Sequence, residues 1–174
     1  MWGMRQIRDV WQWAPDSWKI PMWKETLKLR AFSLFKIPLL FLVRPQIIEI
    51  TKNRCEVMIP LNPLTRNHVK SMYFGVLAMG ADLAGGTFVL DAIERSQKKV
   101  GFIFKDFTAD FLKRAEGDVH FICKEGKKVY QVVDETIRTK KRANVTVDMY
   151  ATVPKKTGDE PVAKFTLTIS VKAS

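Results

Sequence analysis

Hydrophobic and polar positions alternate most strictly in two stretches of the second half of the chain. Apolar side chains occupy every second position there: Val145, Val147, Met149, Ala151 and Val153, then Ala163, Phe165, Leu167, Ile169 and Val171. A period of two places these side chains on one face of an extended strand. The pattern predicts two half-buried β-strands, connected by residues 154–161 with Thr157, Gly158 and Asp159 as the turn.

Shorter β-rich runs occur earlier in the chain. Residues 47–51 and 54–60 are separated by the turn residues Lys52 and Asn53, which predicts a hairpin. Residues 100–107 and 119–123 also read as strands, joined by a loop that contains Gly117 and Asp118. The sequence therefore contains enough strands for one antiparallel sheet.

Two other segments repeat apolar residues at helical spacing. In residues 24–36 the repeat consists of Leu27, Ala31, Leu34 and Phe35 with Lys28 turned away, and Pro38 is expected to end or bend this helix. In residues 127–139 it consists of Val129, Val132, Val133, Thr136 and Ile137. We expect an additional N-terminal helix and a short surface helix.

The segment from Ser71 to Ile93 combines many glycines and alanines with large apolar residues. Each glycine weakens a helix by about 1 kcal/mol relative to alanine, so close packing against neighbouring backbone has to compensate. A helix enclosed by a curved sheet meets that requirement. The order of hairpin, glycine-rich helix and further antiparallel strands predicts an α+β hotdog fold, a curved antiparallel sheet wrapped around one long helix.

Size and composition favour one domain. A chain of 174 residues with 47% hydrophobic residues can bury one core. We assign residues 24–174 to a single hotdog domain and residues 1–23 to a basic arm. Cys55 and Cys123 belong to no Cys-x-x-Cys pair, and we expect reduced, half-buried thiols of a cytoplasmic protein. No side-chain cluster suggests a metal site, and no cofactor is expected.

The arm contains all five tryptophans, interleaved with basic residues: Trp2, Trp11, Trp13, Trp18 and Trp23. Such a segment suits the boundary between water and lipid, although we favour the alternative that it packs across its own sheet or a partner subunit. Charged residues interrupt any signal-peptide core, and the apolar run 39–43 is far below the roughly 20 residues that a membrane span needs. We expect a cytoplasmic protein with peripheral membrane contact as an option.

The formal net charge of +11 raises the possibility of nucleic-acid binding. The one dense basic cluster, however, is the short group Arg138, Lys140, Lys141 and Arg142, and no nucleic-acid motif accompanies it. We do not expect a nucleic-acid partner. Arg138 and Lys140 are candidates for contacting the phosphates of a coenzyme A ester, the alternative being a solvated helix-to-strand connection.

The segment from Asn67 to Gly86, NHVKSMYFGVLAMGADLAGG, resembles the signature segment of hotdog thioesterases of the phenylacetyl-CoA type, and in particular an uncharacterised bacterial branch. In that family an asparagine is followed six residues later by His-Gly-Gly, and an acidic residue lies seven positions after the second glycine. Asn67, Gly75 and Asp82 match this spacing. Tyr73 and Phe74 replace the histidine and the first glycine. The resemblance runs from about Ile47 onward and includes residues 111–118.

Asp82 is the principal candidate for catalysis. Its helix face carries Gly75, Ala78, Met79, Gly85 and Gly86, so burial among small and apolar neighbours is expected to raise its pKa. The carboxylate could then act as a general base on water, or attack the thioester directly. The alternative is a carboxylate that caps backbone N–H groups at a subunit interface.

The other candidates cluster before and around the start of the same helix. The resemblance implies that the Gly75 N–H polarises the thioester carbonyl, although glycine here could simply permit close packing. Asn67 could hold the attacking water or the carbonyl, or only close a turn. Tyr73 could donate a hydrogen bond, or wall the acyl tunnel together with Phe74. Met79 and Gly86 are expected to line the acyl site.

His68 and His120 are the two histidines, and neither lies in a dehydratase-like motif, so dehydration is disfavoured. The sequence thus predicts an acyl-CoA thioesterase that works as a homodimer or a dimer of dimers. The alternative is a non-catalytic hotdog protein that binds an acyl chain or lipid, with membrane contact through the arm.

Overall fold

The computed structural model describes residues 21–173. The helices are α1 (Trp23–Lys36), α2 (Pro38–Leu42), α3 (Phe74–Ser96), α4 (Gly126–Thr139) and α5 (Pro154–Thr157). The strands are β1 (Gln46–Ile50), β2 (Cys55–Ile59), β3 (Val100–Phe111), β4 (Val119–Cys123), β5 (Ala143–Thr152) and β6 (Pro161–Ala173). Most of the arm expected at residues 1–23 lies outside the described residues.

The six strands form one antiparallel sheet in the order β1-β2-β4-β5-β6-β3. The long helix α3 packs against β2, β3, β4 and β5. This arrangement confirms the hotdog fold, with α1 as the additional N-terminal helix and α4 as the surface helix. α3 is long and apolar enough to cross a membrane by length and composition, but two-thirds of that stretch (67%) is buried inside the protein, as in a core helix.

Two glycines of α3 permit the close approach of helix and sheet. A Cβ atom at Gly80 would lie 2.2 Å from the ring of Phe121 in β4, which is too close for any side chain. A Cβ at Gly85 would lie 3.1 Å from the side chains of Met149 and Leu167. Close packing therefore compensates for the low helix propensity of glycine, as the sequence predicted.

The two edges of the sheet differ. At the β1 edge, α1 covers the strand: the Met22 N–H donates to the Ile47 carbonyl oxygen at 2.7 Å, and the Ile47 N–H donates to Thr26 Oγ1 at 2.9 Å. At the other edge, β3 pairs with β6 from Val100 to Phe111, and its second side meets no strand among the described residues. β3 thus presents a long edge with unpaired backbone groups.

Several elements differ in detail from the expectations. β3 extends four residues past the predicted end at residue 107, because it pairs with β6 along its whole length. α1 turns its predicted apolar stripe outward and buries Thr26, Leu29 and Ser33 instead. Both cysteines are fully buried rather than half-buried. Burial raises the pKa of the Cys55 thiol and raises the pKa of Cys123 to about 11, so both thiols stay protonated at neutral pH.

Candidate functional site

The candidate site extends along the face of α3 that looks toward β3. Asp82 lies in the third turn of the helix, and its Oδ1 atom is 3.6 Å from the position that a Cβ would occupy at Gly86. The ring of Phe104 in β3 lies 3.5 Å from the same position. The carboxylate therefore sits where the central helix meets the edge strand of the sheet.

Burial is the cause that shifts the pKa of Asp82, raising it to about 6. No side chain among residues 21–173 donates a hydrogen bond to this carboxylate or forms an ion pair with it. A half-buried carboxylate without a compensating donor holds its proton more tightly than one in water, and as an anion it is correspondingly basic. Such a group is suited to accept a proton from water near neutral pH.

The N-terminus of α3 is fixed by the loop before it. The Tyr73 N–H donates to the Thr65 carbonyl oxygen at 2.9 Å, and the Met72 N–H donates to the Ala115 carbonyl oxygen at 2.8 Å. Tyr73 is the residue immediately before the first helical turn. These contacts set the direction in which the first N–H groups of the helix point.

Gly75 lies in the first turn of α3, and its N–H has no acceptor among the described residues. The next two N–H groups, those of Val76 and Leu77, both donate to the Tyr73 carbonyl oxygen. A free N–H at a helix N-terminus favours a developing negative charge. A Cβ at Gly75 would lie 2.6 Å from the Tyr73 ring, so the absence of a side chain lets that ring cover the helix end.

Three aromatic rings surround this helix end. The centroids of Tyr73 and Phe74 are 4.7 Å apart, and the centroid of Phe74 lies 6.4 Å from that of Phe111, the last residue of β3. All three side chains are exposed. They form an apolar wall beside the free N–H of Gly75, and Phe111 is a member of it that the sequence did not single out.

Asn67 closes its own loop. Its Oδ1 accepts hydrogen bonds from the N–H groups of Val69 (3.0 Å) and Ser71 (3.1 Å), and its Nδ2 donates to Ser71 Oγ at 3.1 Å. The same turn places Lys70 at a φ of 63°. Of the two roles considered for Asn67, turn closure is the one that its contacts in a single chain display.

The remaining predicted residues fall into two groups. Met79 and Gly86 lie three residues before and four residues after Asp82, on its face of α3. Arg138 and Lys140 lie at the end of α4, where β5 begins beside the part of β6 that pairs with Phe102. Because Phe102 and Phe111 are nine residues apart on β3, roughly 30 Å separates this basic end from the aromatic wall within one chain.

A buried ion-pair network lies on the other side of the sheet. His120 Nδ1 is 2.7 Å from Glu56 Oε1, and Arg54 Nη2 is 2.6 Å from Glu56 Oε2. Glu56 alternates with Cys55 and Val57, which face α3, so its side chain points away from the helix and from Asp82. The sequence did not reveal this pair, because the two residues are 64 positions apart and only the strand register joins them.

Within residues 21–173 no group of three His, Cys, Asp or Glu side chains is placed to hold a metal ion. The candidate site thus consists of one half-buried carboxylate, one helix N-terminus and apolar walls. Acid-base chemistry on a bound apolar substrate is what these groups can perform.

Solved structures with the same fold include proteins named as thioesterases. PA5026 of Pseudomonas aeruginosa, a protein of unknown function named as a probable thioesterase, superposes with a TM-score of 0.70 at 19% identity, over 86% of this chain and 96% of its own. A mutant of thioesterase PA1618 from the same organism superposes with a TM-score of 0.62 at 12% identity, over 86% of this chain and 94% of its own. Thioesterase HI1161 of Haemophilus influenzae superposes with a TM-score of 0.60 at 13% identity, over 82% of this chain and 88% of its own.

These identities are low, so the likeness establishes the hotdog fold that the chain shares with these three proteins. No curated protein sequence matches the chain significantly. A family model described as a domain of unknown function, DUF4442, matches residues 26–171, which include the central helix and all of the sheet except the last two residues of β6. The chain belongs to the DUF4442 family.

Proposed function

We propose that this protein hydrolyses an acyl thioester of coenzyme A, with Asp82 as the group that activates water or attacks the carbonyl carbon. The observation that carries the proposal is the half-buried Asp82 carboxylate, whose pKa is raised to about 6 by desolvation alone. A structural carboxylate in such a place normally has a hydrogen-bonded partner, whereas a catalytic base needs its lone pairs free.

The reaction that follows from this site has two proton transfers. In the general-base form, Asp82 takes a proton from water while the water oxygen bonds to the thioester carbon, and the carbonyl oxygen becomes an oxyanion. The Gly75 N–H donates to that oxyanion. Collapse of the intermediate breaks the C–S bond, and the thiolate leaves with the proton returned from Asp82, giving a carboxylic acid and free coenzyme A.

The distance between these two groups supports a site shared by two copies. Gly75 and Asp82 are seven residues apart on one helix, about 10 Å along its axis, whereas a reacting carbonyl has to lie about 3 Å from both its donor and its attacking group. We therefore propose that Asp82 of one copy works with the Gly75 N–H of another, in a homodimer or a dimer of dimers.

The free edge of β3 is the surface proposed for this contact. Antiparallel pairing of two β3 strands would continue the sheet and satisfy its unpaired backbone groups. It would also place the start of one strand beside the end of the other, which brings Arg138 and Lys140 of one copy toward the aromatic wall of the second. In that arrangement the two cations are proposed to contact the phosphates of coenzyme A. A monomer by light scattering would contradict this shared site.

The test of the activity is thiol release from short, medium, long and aromatic acyl-CoA esters. We expect turnover of at least one ester, and its loss in Asp82→Ala with the fold retained by circular dichroism. The matched control is Asp134→Ala, an exposed aspartate of α4, which is expected to hydrolyse the same ester at the wild-type rate. Equal activity of the two variants would exclude Asp82 from the chemistry.

The second candidate is a hotdog protein that binds an acyl chain or lipid without hydrolysing it. The observations that favour it are the ring of Tyr73 lying over Gly75 and the Asn67 side chain engaged in its own turn. Native mass spectrometry of the purified protein separates the candidates. A retained acyl lipid, together with no thiol release from any ester, would support the binding protein.

A further inference from the structure

The outer face of α1 is apolar and uncovered. The side chains of Trp23, Leu27 and Phe35 are 71%, 69% and 80% exposed, and Leu34 is exposed beside them. They lie opposite the buried face of the same helix, which consists of Thr26, Leu29 and Ser33. This is the reverse of an ordinary surface helix, whose apolar side chains face the core. The stripe therefore has to be explained by something that the helix meets.

The next helix extends the same exposed surface. Leu39, Phe41 and Leu42 of α2 are exposed, and Leu64 lies across a cleft from Phe41 and Leu42. We refer to the exposed residues of α1 and α2 together with Leu64 as the apolar face. Contiguous exposed apolar surface of this kind marks a contact with a protein or a membrane.

The cleft in the apolar face contains two guanidinium groups. It has a volume of about 470 Å³ and is lined by Arg30, Arg44, Gln46 and apolar side chains. Arg30 Nε donates to the Pro45 carbonyl oxygen at 3.1 Å, which fixes the guanidinium at this position. Arg44 has a φ of 54°, a backbone conformation that few side-chain-bearing residues adopt. One guanidinium held in place and a second one beside apolar side chains suit a phosphate attached to a hydrocarbon.

Basic residues surround the apolar face. Residues 21–44 contain five basic side chains and one acidic one: Lys24, Lys28, Arg30, Lys36 and Arg44 against Glu25. Lys24 and Lys36 are exposed on α1 itself, whereas the exposed Lys28 forms an ion pair with Glu94 at 2.9 Å. Lysine can lay its apolar stem on a lipid surface while its ammonium group stays with the headgroups.

We propose that the apolar face of α1 and α2 docks on an anionic phospholipid membrane, with its aromatic and leucine side chains in the interfacial region and its arginine cleft at the lipid phosphates. The proposal does not depend on the thioesterase activity. Charge favours a membrane over the two other candidates for covering the apolar face. A second copy would bring two basic faces together. Residues 1–20, with three basic and two acidic side chains, offer no complementary charge.

The test is co-sedimentation of the full chain with vesicles of phosphatidylcholine, with and without phosphatidylglycerol. We expect binding to the vesicles that contain phosphatidylglycerol, weakened by added salt. Leu27→Ser/Phe35→Ser should weaken binding by about tenfold or more, because these two side chains supply much of the inserted apolar area. Phe35→Trp should retain it.

The charge is tested by a matched pair of variants. Lys24→Gln/Lys36→Gln should reduce binding and its dependence on salt, whereas Lys155→Gln/Lys156→Gln removes the same charge from α5 and should bind as the wild type does. Unfolding temperatures equal to that of the wild type show that each variant is folded.

Three results would overturn the proposal. One is the absence of sedimentation with either vesicle. Another is unchanged binding by Leu27→Ser/Phe35→Ser with loss of binding by Trp11→Ser/Trp13→Ser, which would assign the contact to the arm. The third is a change of oligomeric state in Leu27→Ser/Phe35→Ser with unchanged vesicle binding, which would assign the apolar face to a second copy.

Discussion

At the scale of single residues, the Asp82 carboxylate lies in an environment that disfavours its negative charge, and no neighbouring group among the described residues compensates for it. It is half-buried on α3, and this partial burial raises its pKa to about 6 without a donor among residues 21–173 to offset it. Placing a charged carboxylate there destabilises the fold. A protein retains such a group when the group has a use, and proton transfer to and from water is the use that this pKa favours.

The stability of the protein should reflect this pKa. The folded-state pKa of Asp82 is above its ordinary value of 3.8, so the folded state binds the proton more tightly than the unfolded state does. The stabilising contribution is complete below pH 3.8 and is lost as the pH rises through about 6. Urea unfolding at a series of pH values should therefore show Asp82→Asn gaining about 2 kcal/mol on the wild type between pH 4 and 7. A constant difference would mean that Asp82 is solvated.

Glu56 is the second residue whose burial dominates its energetics. It is fully buried and contacts both Arg54 and His120. Removing one member of a buried ionic network leaves the others uncompensated, so Glu56→Ala should lower the free energy of unfolding by about 3–5 kcal/mol.

Glu49 provides the matched control for Glu56, because it pairs with the same Arg54 guanidinium at 2.9 Å but is partly exposed. Glu49→Ala should lower the free energy of unfolding by about 1 kcal/mol or less. Urea unfolding at pH 7 compares the two variants. Equal losses would show that burying the Glu56 carboxylate does not increase its contribution to the free energy of unfolding.

At the scale of secondary-structure elements, the packing of α3 depends on the contact between Gly80 and the Phe121 ring. Alanine at position 80 would favour the helix by about 1 kcal/mol, but its Cβ would lie 2.2 Å from ring atoms enclosed in the core. We expect Gly80→Ala to be destabilising overall by about 1–3 kcal/mol in thermal or urea unfolding.

Gly101 offers the comparison, because a Cβ there would meet nothing within 4 Å. Gly101→Ala should leave the stability unchanged or slightly raise it, since alanine restricts the unfolded chain. A neutral Gly80→Ala would show that the Phe121 ring moves aside easily and that the helix and sheet are less closely packed than described.

The sequence predicted the elements well where local patterns determine them. Strict alternation identified β5 and β6, and helical spacing identified α4 with Val129, Val132 and Val133 buried. The sequence was less informative where tertiary strand pairing determines the extent of an element. The last four residues of β3, for example, are a strand because they pair with β6. For α1 the spacing gave the helix but not its orientation, because hydrogen bonds between Thr26 and β1 fix which face is buried.

The candidate site was predictable to a similar degree. The small residues around Asp82 indicated that its carboxylate would be buried. It is half-buried, and this partial burial is what shifts its pKa. Turn closure was one of two interpretations of Asn67, and the sequence spacing alone did not distinguish it from a role in binding the water or the carbonyl. The pairing of His120 with Glu56 and the contact of Phe111 with Phe74 arise from strand register and chain path, which no local pattern encodes.

At the scale of the whole molecule, different surfaces are assigned to different contacts. The β3 edge is proposed for a second copy and the apolar face of α1 and α2 for a membrane, while α1 closes the β1 edge of the sheet. The two proposed contact surfaces belong to opposite edges of one sheet, so both contacts can form together. In that arrangement a dimer would meet the membrane without covering the β3 interface.

If ionised Asp82 drives thioester hydrolysis as proposed, the pH dependence of kcat/KM for thiol release from the best acyl-CoA substrate should follow its protonation. We expect a plateau above neutral pH and a fall of about tenfold per pH unit below pH 6, as the carboxylate takes up its proton. Asp82→Asn should lack the plateau activity. A wild-type rate that stays constant from pH 7 to pH 4.5 in a folded protein, or an Asp82→Asn profile identical to that of the wild type, would contradict it.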